Sequence, residues 1–169
     1  MIHLCEDQQI STIQEIINDA ATAYQSIIPD DRYHEPYMTL EELQQELGAG
    51  VVFWGYTGTH GRLIGVMGIQ DKGEVSLIRH AYVRTSQRQA GIGSQLLRRI
   101  LRGTDKPVLI GTWASASWAI RFYEKNGFQL APEQEKEILL RKYWNIPERQ
   151  IETSVVLVQA DINGNPNGC

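Results

Sequence analysis

The chain contains only two cysteines, Cys5 and Cys169, and they stand at opposite ends of its 169 residues. Neither has a second cysteine or a histidine at the short spacing that zinc sites use. A disulfide framework and a structural metal site are therefore not indicated. We expect two unpaired thiols and a protein that works without a bound metal ion.

Long apolar runs and an excess of basic charge are also missing. No stretch of about 18 apolar residues is present to cross a bilayer, and the first residues turn acidic at Glu6 and Asp7, where a secretion signal would turn apolar. The formal net charge of -4 provides no basic field for nucleic acid. We expect a cytoplasmic protein that binds neither membranes nor nucleic acid. The sequence is compatible with a monomer and with a homodimer.

What the chain does contain is typical of one globular domain. Hydrophobic residues make up 42% and charged residues 21% of the sequence, and a chain of this length and composition can bury a core. We therefore expect one domain over residues 1–160. Residues 161–169 lack hydrophobic periodicity and are predicted to be disordered.

Hydrophobic periodicity predicts a mixed α/β order of elements. Isoleucines and alanines at helical spacing indicate a helix over 7–24, and Thr39 is expected to cap a second helix that stops near Gly48. Short glycine-bearing connections between the next strand-like runs indicate an antiparallel meander. The strands of this meander are predicted at 51–56, 63–69 and 74–83. Later helices are predicted at 92–103, between Ser115 and Asn126, and at 132–143. Later strands are predicted at 107–113 and 152–159.

The segment from Val83 to Ser94 carries the most informative pattern, because a strand runs into a short loop whose glycines open a helix. Backbone N–H groups at a helix start have no partner within the helix and lie at the positive end of its dipole, which suits a phosphate. Gly91 and Gly93 let an anion approach the backbone closely, and Arg88 adds a charged donor.

Two common phosphate loops do not fit this segment. A dinucleotide-binding fingerprint requires a third glycine where this chain has Leu96, and a nucleotide P-loop requires a Gly-Lys-Ser/Thr sequence that this chain lacks. Taken alone, the pair of glycines is also consistent with an ordinary tight turn between a strand and a helix in a dimerising domain.

Two motifs resemble the GNAT superfamily of N-acetyltransferases. The run Arg88-x-x-Gly91-x-Gly93 is similar to that family's acetyl-CoA pyrophosphate loop, and residues 119–128 look like its Ala-x-x-Phe-Tyr-x-x-x-Gly-Phe helix and following strand. The motifs match over about residues 63–130, and the flanking elements agree in order and type. The resemblance implies a mixed, mostly antiparallel central sheet with a splayed parallel strand pair, flanked by helices.

The resemblance also implies an activity and a co-substrate. A GNAT protein transfers acetyl from acetyl-CoA to an amine by direct attack, and amides of the loop hold the pyrophosphate while the backbone near Ala81 and Val83 holds the pantetheine arm. A non-catalytic acyl-CoA-binding sensor or partner module is the alternative. The implied loop amides in this chain are those of Arg88, Gln89, Ala90, Gly91, Ile92, Gly93 and Ser94.

One common family residue is replaced here. An asparagine often stands three residues before the alanine of the helix motif, and this chain has Ala116 there. Ser115 or Ser117 is the candidate to replace its contact to the pantetheine. By the same resemblance Tyr123 is the acid that protonates the departing thiolate, with a core role beside Phe122 as the alternative.

The general base and the acceptor contacts are indicated by single residues rather than motifs. Glu74 and His80 are candidate bases, with a solvated turn carboxylate and a hydrogen-bonded core histidine as their alternatives. Strand alternation places Arg79 on the face opposite His80, and the resemblance turns the Arg79 face toward the acceptor, so Arg79 is a candidate contact for a substrate carboxylate. A bulge would exchange these faces. His34 and Glu35 lie in a long loop of the kind that borders the acceptor pocket.

Overall fold

The computed structural model describes residues 1–88 and 90–160, in two compact units, one from Met1 to Lys106 and one from Pro107 onward. The expectation of a single domain over 1–160 stays a prediction. Two predictions lie outside the described residues: the pyrophosphate contact of Gln89 and the disorder of residues 161–169. No helix in the described ranges is long and apolar enough to span a membrane.

The first unit is an antiparallel meander with helices packed on it. Its strands pair in chain order, so that each strand neighbours the next one along the chain. The strands are β1 (Ile2–Leu4), β2 (Val51–Thr57), β3 (Leu63–Asp71) and β4 (Ser76–Val83), and the helices are α1 (Ile10–Ala21), α2 (Leu40–Gly48) and α3 (Ile92–Leu101).

The second unit is a smaller antiparallel sheet in which the last strand lies in the middle. That strand, β7 (Ser154–Gln159), pairs with β5 (Val108–Trp113) on one side and with β6 (Phe128–Leu130) on the other. The helices of this unit are α4 (Ser117–Lys125), α5 (Glu133–Tyr143) and α6 (Glu148–Glu152). Side chains of α5, α6 and β7 form its buried cluster, with Leu140, Ile151 and Val156 at the centre.

The core of the first unit joins the apolar faces of α1 and α2 to the meander. Ile16 and Ile17 of α1 and Leu43 of α2 are fully buried and share a cluster with Phe53 of β2 and Val66 of β3. Thr39 caps α2 as predicted, because its hydroxyl accepts the N–H of Glu42 while the Glu42 carboxylate accepts the N–H of Thr39.

Most predicted elements are confirmed, and three details are corrected. The predicted strand over 152–159 begins at Ser154, because Glu152 ends the single-turn helix α6. Strand β1 was not predicted, since three residues are too few to show an alternating pattern. No serine side chain caps α4; its capping residue is the buried Ala116, held by a backbone bond from its N–H to the carbonyl oxygen of Trp113.

Gly68 permits close packing in the middle of β3. A Cβ atom at this position would lie 2.7 Å from the carbonyl oxygen of Arg79 and 2.8 Å from Cγ1 of Val51. We expect Gly68→Ala to lower the free energy of unfolding by roughly 1–3 kcal/mol, because a backbone atom cannot move aside as a flexible side chain can. Chemical denaturation of the purified variant measures this loss.

Gly48→Ala is the matched control for this prediction. Gly48 is the last residue of α2, and a Cβ atom there meets nothing within 4 Å. Alanine is the better helix former by up to about 1 kcal/mol, so this variant should be as stable as the wild type or more stable. If both variants lost the same free energy of unfolding, the role of the close contact at Gly68 would be contradicted.

Candidate functional site

Strand β4 contains a bulge at His80. Gly68 of β3 pairs with Arg79, but Val66 pairs with Tyr82, so two residues of β4 stand opposite Met67 alone. His80 has φ 53, the one positive φ among the non-glycine residues that the structure describes. A bulge interrupts the ladder and redirects the side chains around it. The expectation of Arg79 and His80 on opposite faces, drawn from simple alternation, is therefore corrected.

Both side chains meet a carboxylate that the sequence did not single out. Oε1 of Glu46, on α2, lies 3.2 Å from Nη2 of Arg79, and Oε2 of Glu46 lies 3.4 Å from Nε2 of His80. The imidazole of His80 also stacks on Phe53, with ring centroids 6.2 Å apart and an interplanar angle of 26°. The predicted core role and the predicted catalytic role of His80 are both compatible with this position.

Arg79 already has partners within the protein. Its Nη1 donates to Oε1 of Gln70 at 3.0 Å, in addition to the contact of Nη2 with Glu46. Gln70 is itself buried, and its Nε2 donates to the carbonyl oxygen of Ala49 at 2.9 Å. The predicted contact between Arg79 and a substrate carboxylate would have to compete with these internal bonds.

The electrostatics of Glu46 follow from this environment. Burial acts to raise the pKa of its carboxyl, but the imidazole of His80 and the positive charge of Arg79 outweigh burial and hold that pKa below its ordinary value. Nε2 of His80 is buried and has no well-aligned hydrogen bond among the residues described. The contact of His80 with Glu46 is therefore mainly electrostatic.

The loop that follows β4 is tied to the end of α1. The Asp19 carboxylate accepts hydrogen bonds from the backbone N–H of Thr85 at 2.8 Å and from its hydroxyl at 3.2 Å. Nη2 of Arg88 donates to the carbonyl oxygen of Ala20 at 3.2 Å. Sequence reasoning missed Asp19, although an acidic residue in the last turn of a helix is unfavourable beside the dipole and therefore signals another role.

Gly91 forms the junction between this loop and α3. It is the N-cap of the helix and has φ 74, a left-handed conformation that glycine adopts without strain. The amide of Gln95 makes a bond back to the carbonyl oxygen of Gly91 at 3.1 Å. The amides of Ile92, Gly93 and Ser94, three of the predicted pyrophosphate donors, precede it in the first turn of the helix. This turn lies at the positive end of the helix dipole.

Two predicted residues belong to the second unit. Tyr123 is buried in α4, and its ring makes edge-on contacts with Phe122, at 5.0 Å between centroids, and with Phe128, at 6.1 Å. Ser117 is exposed as the first residue of α4. A phenylalanine in place of Tyr123 would keep the ring contacts and remove the hydroxyl alone.

The remaining candidates have exposed positions. Glu74 lies in the turn before β4, at the end of that strand away from the glycine loop. Glu35 accepts a hydrogen bond from the hydroxyl of Tyr33 at 3.4 Å, and Nε2 of His34 lies 3.5 Å from a carboxylate oxygen of Glu42. Within residues 1–88 and 90–160, no three His, Cys, Asp or Glu side chains are grouped so that they could hold a metal ion.

The sequence of residues 49–130 matches the family described as acetyltransferase (GNAT) domain. This range runs from Ala49, two residues before β2, to the end of β6, so it contains the bulge, the glycine loop and Tyr123. No curated protein sequence matches the chain significantly.

Solved structures similar to this chain share its fold at low sequence identity. The PaiA N-acetyltransferase of Thermoplasma acidophilum, in complex with coenzyme A, has a TM-score of 0.70 at 16% identity and covers 95% of this chain and 98% of its own. A GNAT family acetyltransferase of Elizabethkingia anophelis with acetyl-CoA bound has a TM-score of 0.59 at 21% identity, covering 96% and 97%. The ribosomal-protein-S18-alanine N-acetyltransferase of Escherichia coli has a TM-score of 0.65 at 14% identity and covers 99% of both chains. The predicted fold class is confirmed.

The lowered pKa of Glu46 predicts a pH-dependent contribution to stability. Because the folded protein holds this pKa below the ordinary value of 4.5, the carboxylate stabilises the fold above that pH and loses this effect as the pH falls through the folded value. We expect Glu46→Gln to lower the melting temperature at about pH 7, with a difference from wild type that narrows toward about pH 3. Thermal unfolding over a pH series measures it.

Glu41→Gln is the control, since it removes the same charge from an exposed position of the same helix. Its effect on the melting temperature at neutral pH should be smaller, because exposed charges contribute little. If the melting temperatures of Glu46→Gln and wild type differed by the same amount at every pH, the lowered pKa assigned to Glu46 would be contradicted.

Proposed function

This chain belongs to the GNAT superfamily of acetyltransferases, and we propose that it transfers an acetyl group from acetyl-CoA to a primary amine by direct attack. The observation that carries the proposal is the order of a bulged strand, a glycine loop and a helix start over residues 76–101. This order combines backbone N–H groups at the positive end of a helix dipole with a strand whose ladder is interrupted.

The glycine loop supports the binding of the pyrophosphate. Gly91 turns the chain into α3, so the first-turn amides of the helix and the positive end of its dipole suit an anion. The tether between Asp19 and Thr85 fixes the entry to the loop before any ligand binds. A loop fixed in advance loses less conformational entropy on binding.

The bulge supports the binding of the pantetheine arm along β4. The extra residue of a bulge is left unpaired in the ladder, and Ala81 is one of the two residues opposite Met67. Its backbone groups suit the amides of a pantetheine arm, which we propose to bind beside Ala81 and Val83. Ser117 is the proposed replacement for the family asparagine.

The chemistry requires one proton to leave the amine and one to reach the sulfur. The amine nitrogen attacks the thioester carbonyl carbon, a backbone N–H of β4 stabilises the oxyanion, and the carbon–sulfur bond then breaks. We assign the acid that protonates the thiolate to Tyr123. We assign the base to His80 rather than Glu74, because His80 lies beside the proposed pantetheine residues and Glu74 lies in the turn at the far end of β4.

The acceptor is proposed to be a small-molecule or peptide amine. The acidic residues of the loop before α2, Asp30, Asp31 and Glu35, are exposed and suit a cationic amine. His34 stands in the same loop. A peptide terminus is the acceptor class that the name of the Escherichia coli relative indicates for that protein. We also propose a cytoplasmic location, where acetyl-CoA and such acceptors occur together.

A non-catalytic acyl-CoA-binding module is the second candidate, and the presence of Ala116 in place of the family asparagine favours it. Two measurements separate the candidates. Calorimetry with acetyl-CoA detects binding in either case, whereas release of free thiol across a panel of amines occurs only with an enzyme. Binding without thiol release would favour the module, and absence of binding would contradict both.

Gly91 and Gly61 provide a matched pair for testing the loop. Both have positive φ, 74 and 72, and a Cβ atom at either position meets nothing within 4 Å. Alanine should cost each site a similar strain of roughly 1–2 kcal/mol. Only Gly91→Ala should also weaken coenzyme A binding, by on the order of 10-fold, because it moves the amides that hold the pyrophosphate. Calorimetry measures both variants, and equal affinities would argue against the loop as the binding site.

Tyr123→Phe tests the proposed acid. The variant keeps the contacts with Phe122 and Phe128, so we expect the affinity for coenzyme A to change by less than about two-fold while kcat falls at least about 10-fold. Tyr143→Phe, in α5, is the control and should leave kcat unchanged. Steady-state kinetics with the best amine of the panel decide the point, and an undiminished kcat would rule out the role of the hydroxyl.

A further inference from the structure

His80 is held in its conformation from several sides. A residue with a side chain persists at φ 53 only where its surroundings enforce that conformation. Here the surroundings are the interrupted ladder opposite Met67, the ring of Phe53 stacked on the imidazole, and the carboxylate of Glu46 at Nε2. The side chains of His80 and Glu46 are only 15% and 24% exposed. Backbone conformations of this kind cluster at functional sites.

The position of Glu46 selects one form of the imidazole. A carboxylate accepts hydrogen bonds and cannot donate them when ionised, so its presence beside Nε2 favours the tautomer that carries the proton there. The lone pair is then on Nδ1, which becomes the nitrogen able to accept a proton. Glu46 is ionised at neutral pH, because His80 and Arg79 keep its pKa low.

Glu46 is itself held by a chain of hydrogen bonds that starts at the residue after α2 and returns to α2. The side-chain amide of Gln70 donates to the carbonyl oxygen of Ala49 and accepts from the guanidinium of Arg79. The same guanidinium donates to the carboxylate of Glu46. Glu46 from α2 faces the imidazole of His80 with a charge, and the guanidinium of Arg79 on β4 meets the same carboxylate, while β2 faces His80 with the uncharged Phe53. Contacts from α2, β2, β3 and β4 thus fix one carboxylate against one imidazole.

We propose that Glu46 is a positioning residue, which holds His80 in the Nε2–H form so that Nδ1 removes the proton of the acceptor amine. This inference rests on the proposed acetyl transfer. As the new carbon–nitrogen bond forms and the carbon–sulfur bond breaks, the amine proton passes to Nδ1 and the thiolate takes its proton from Tyr123. Glu46 stays a carboxylate throughout and faces the imidazolium that forms. Arg79 acts through Glu46 rather than on a substrate.

A spectroscopic test needs neither a substrate nor turnover. Two-dimensional nitrogen–carbon spectra of the imidazoles, recorded above neutral pH, report which ring nitrogen carries the proton, and His80→Gln identifies the signals of His80. We expect the Nε2–H tautomer to predominate in the wild type and to give way to a mixture in Glu46→Met, which removes the carboxylate and preserves the helix. Glu41→Met is the control on the same helix and should leave the tautomer unchanged.

A kinetic test addresses the reaction itself. Glu46→Gln keeps the size of the side chain and removes its charge, so kcat should fall on the order of 10-fold or more while KM for acetyl-CoA changes by less than about two-fold. Glu46→Asp retains a carboxylate and should recover part of this loss. Glu41→Gln should be as active as the wild type. If Glu46→Gln does not fold, Glu46→Asp and Glu46→Met carry the same comparison.

The outcomes separate the two proposals. A wild type that binds acetyl-CoA but releases no thiol with any amine would overturn the proposed function, and the base role of His80 with it. An active wild type whose Glu46 variants keep both the Nε2–H tautomer and the normal kcat would overturn the positioning role alone. Loss of kcat together with loss of the tautomer is the result that supports the proposal.

Discussion

The arrangement of the candidate site depends on one interruption of the hydrogen-bond ladder between β3 and β4. Up to Arg79 the two strands pair in register, and at His80 an extra residue enters β4. This residue brings two neighbouring side chains to one carboxylate, on Glu46, and leaves backbone groups of β4 without their usual partner. A regular strand would have placed these side chains on opposite faces.

The glycine loop depends on a second constraint, its tether to α1. Under the proposed function this loop binds an anion through backbone amides, which do not fix the conformation of the loop by themselves, so other contacts must fix it. Asp19 binds Thr85 at the start of the loop, and Arg88 binds the last turn of α1. The same contacts satisfy carbonyl and carboxylate groups at a helix end where the dipole favours positive partners.

Long elements were predicted well because their patterns are periodic and local. The helix over 92–101 shows its buried residues at helical spacing, and Thr39 and Glu42 form the capping pair that their spacing indicates. The short elements β1 and α6 were missed because three or five residues do not establish a period. Ala116 replaced the expected serine cap because its position is buried and a backbone bond holds the turn.

By itself the sequence determined the order of the long elements, the fold class and the glycine loop, because periodicity, glycine and capping act between residues close in the chain. Only the tertiary structure decided which carboxylate meets His80. Glu46 and His80 are far apart in sequence, and their contact needs both the packing of α2 on the meander and the extra residue in β4. A bulge leaves no local signature in these residues, because it arises from the pairing of two strands.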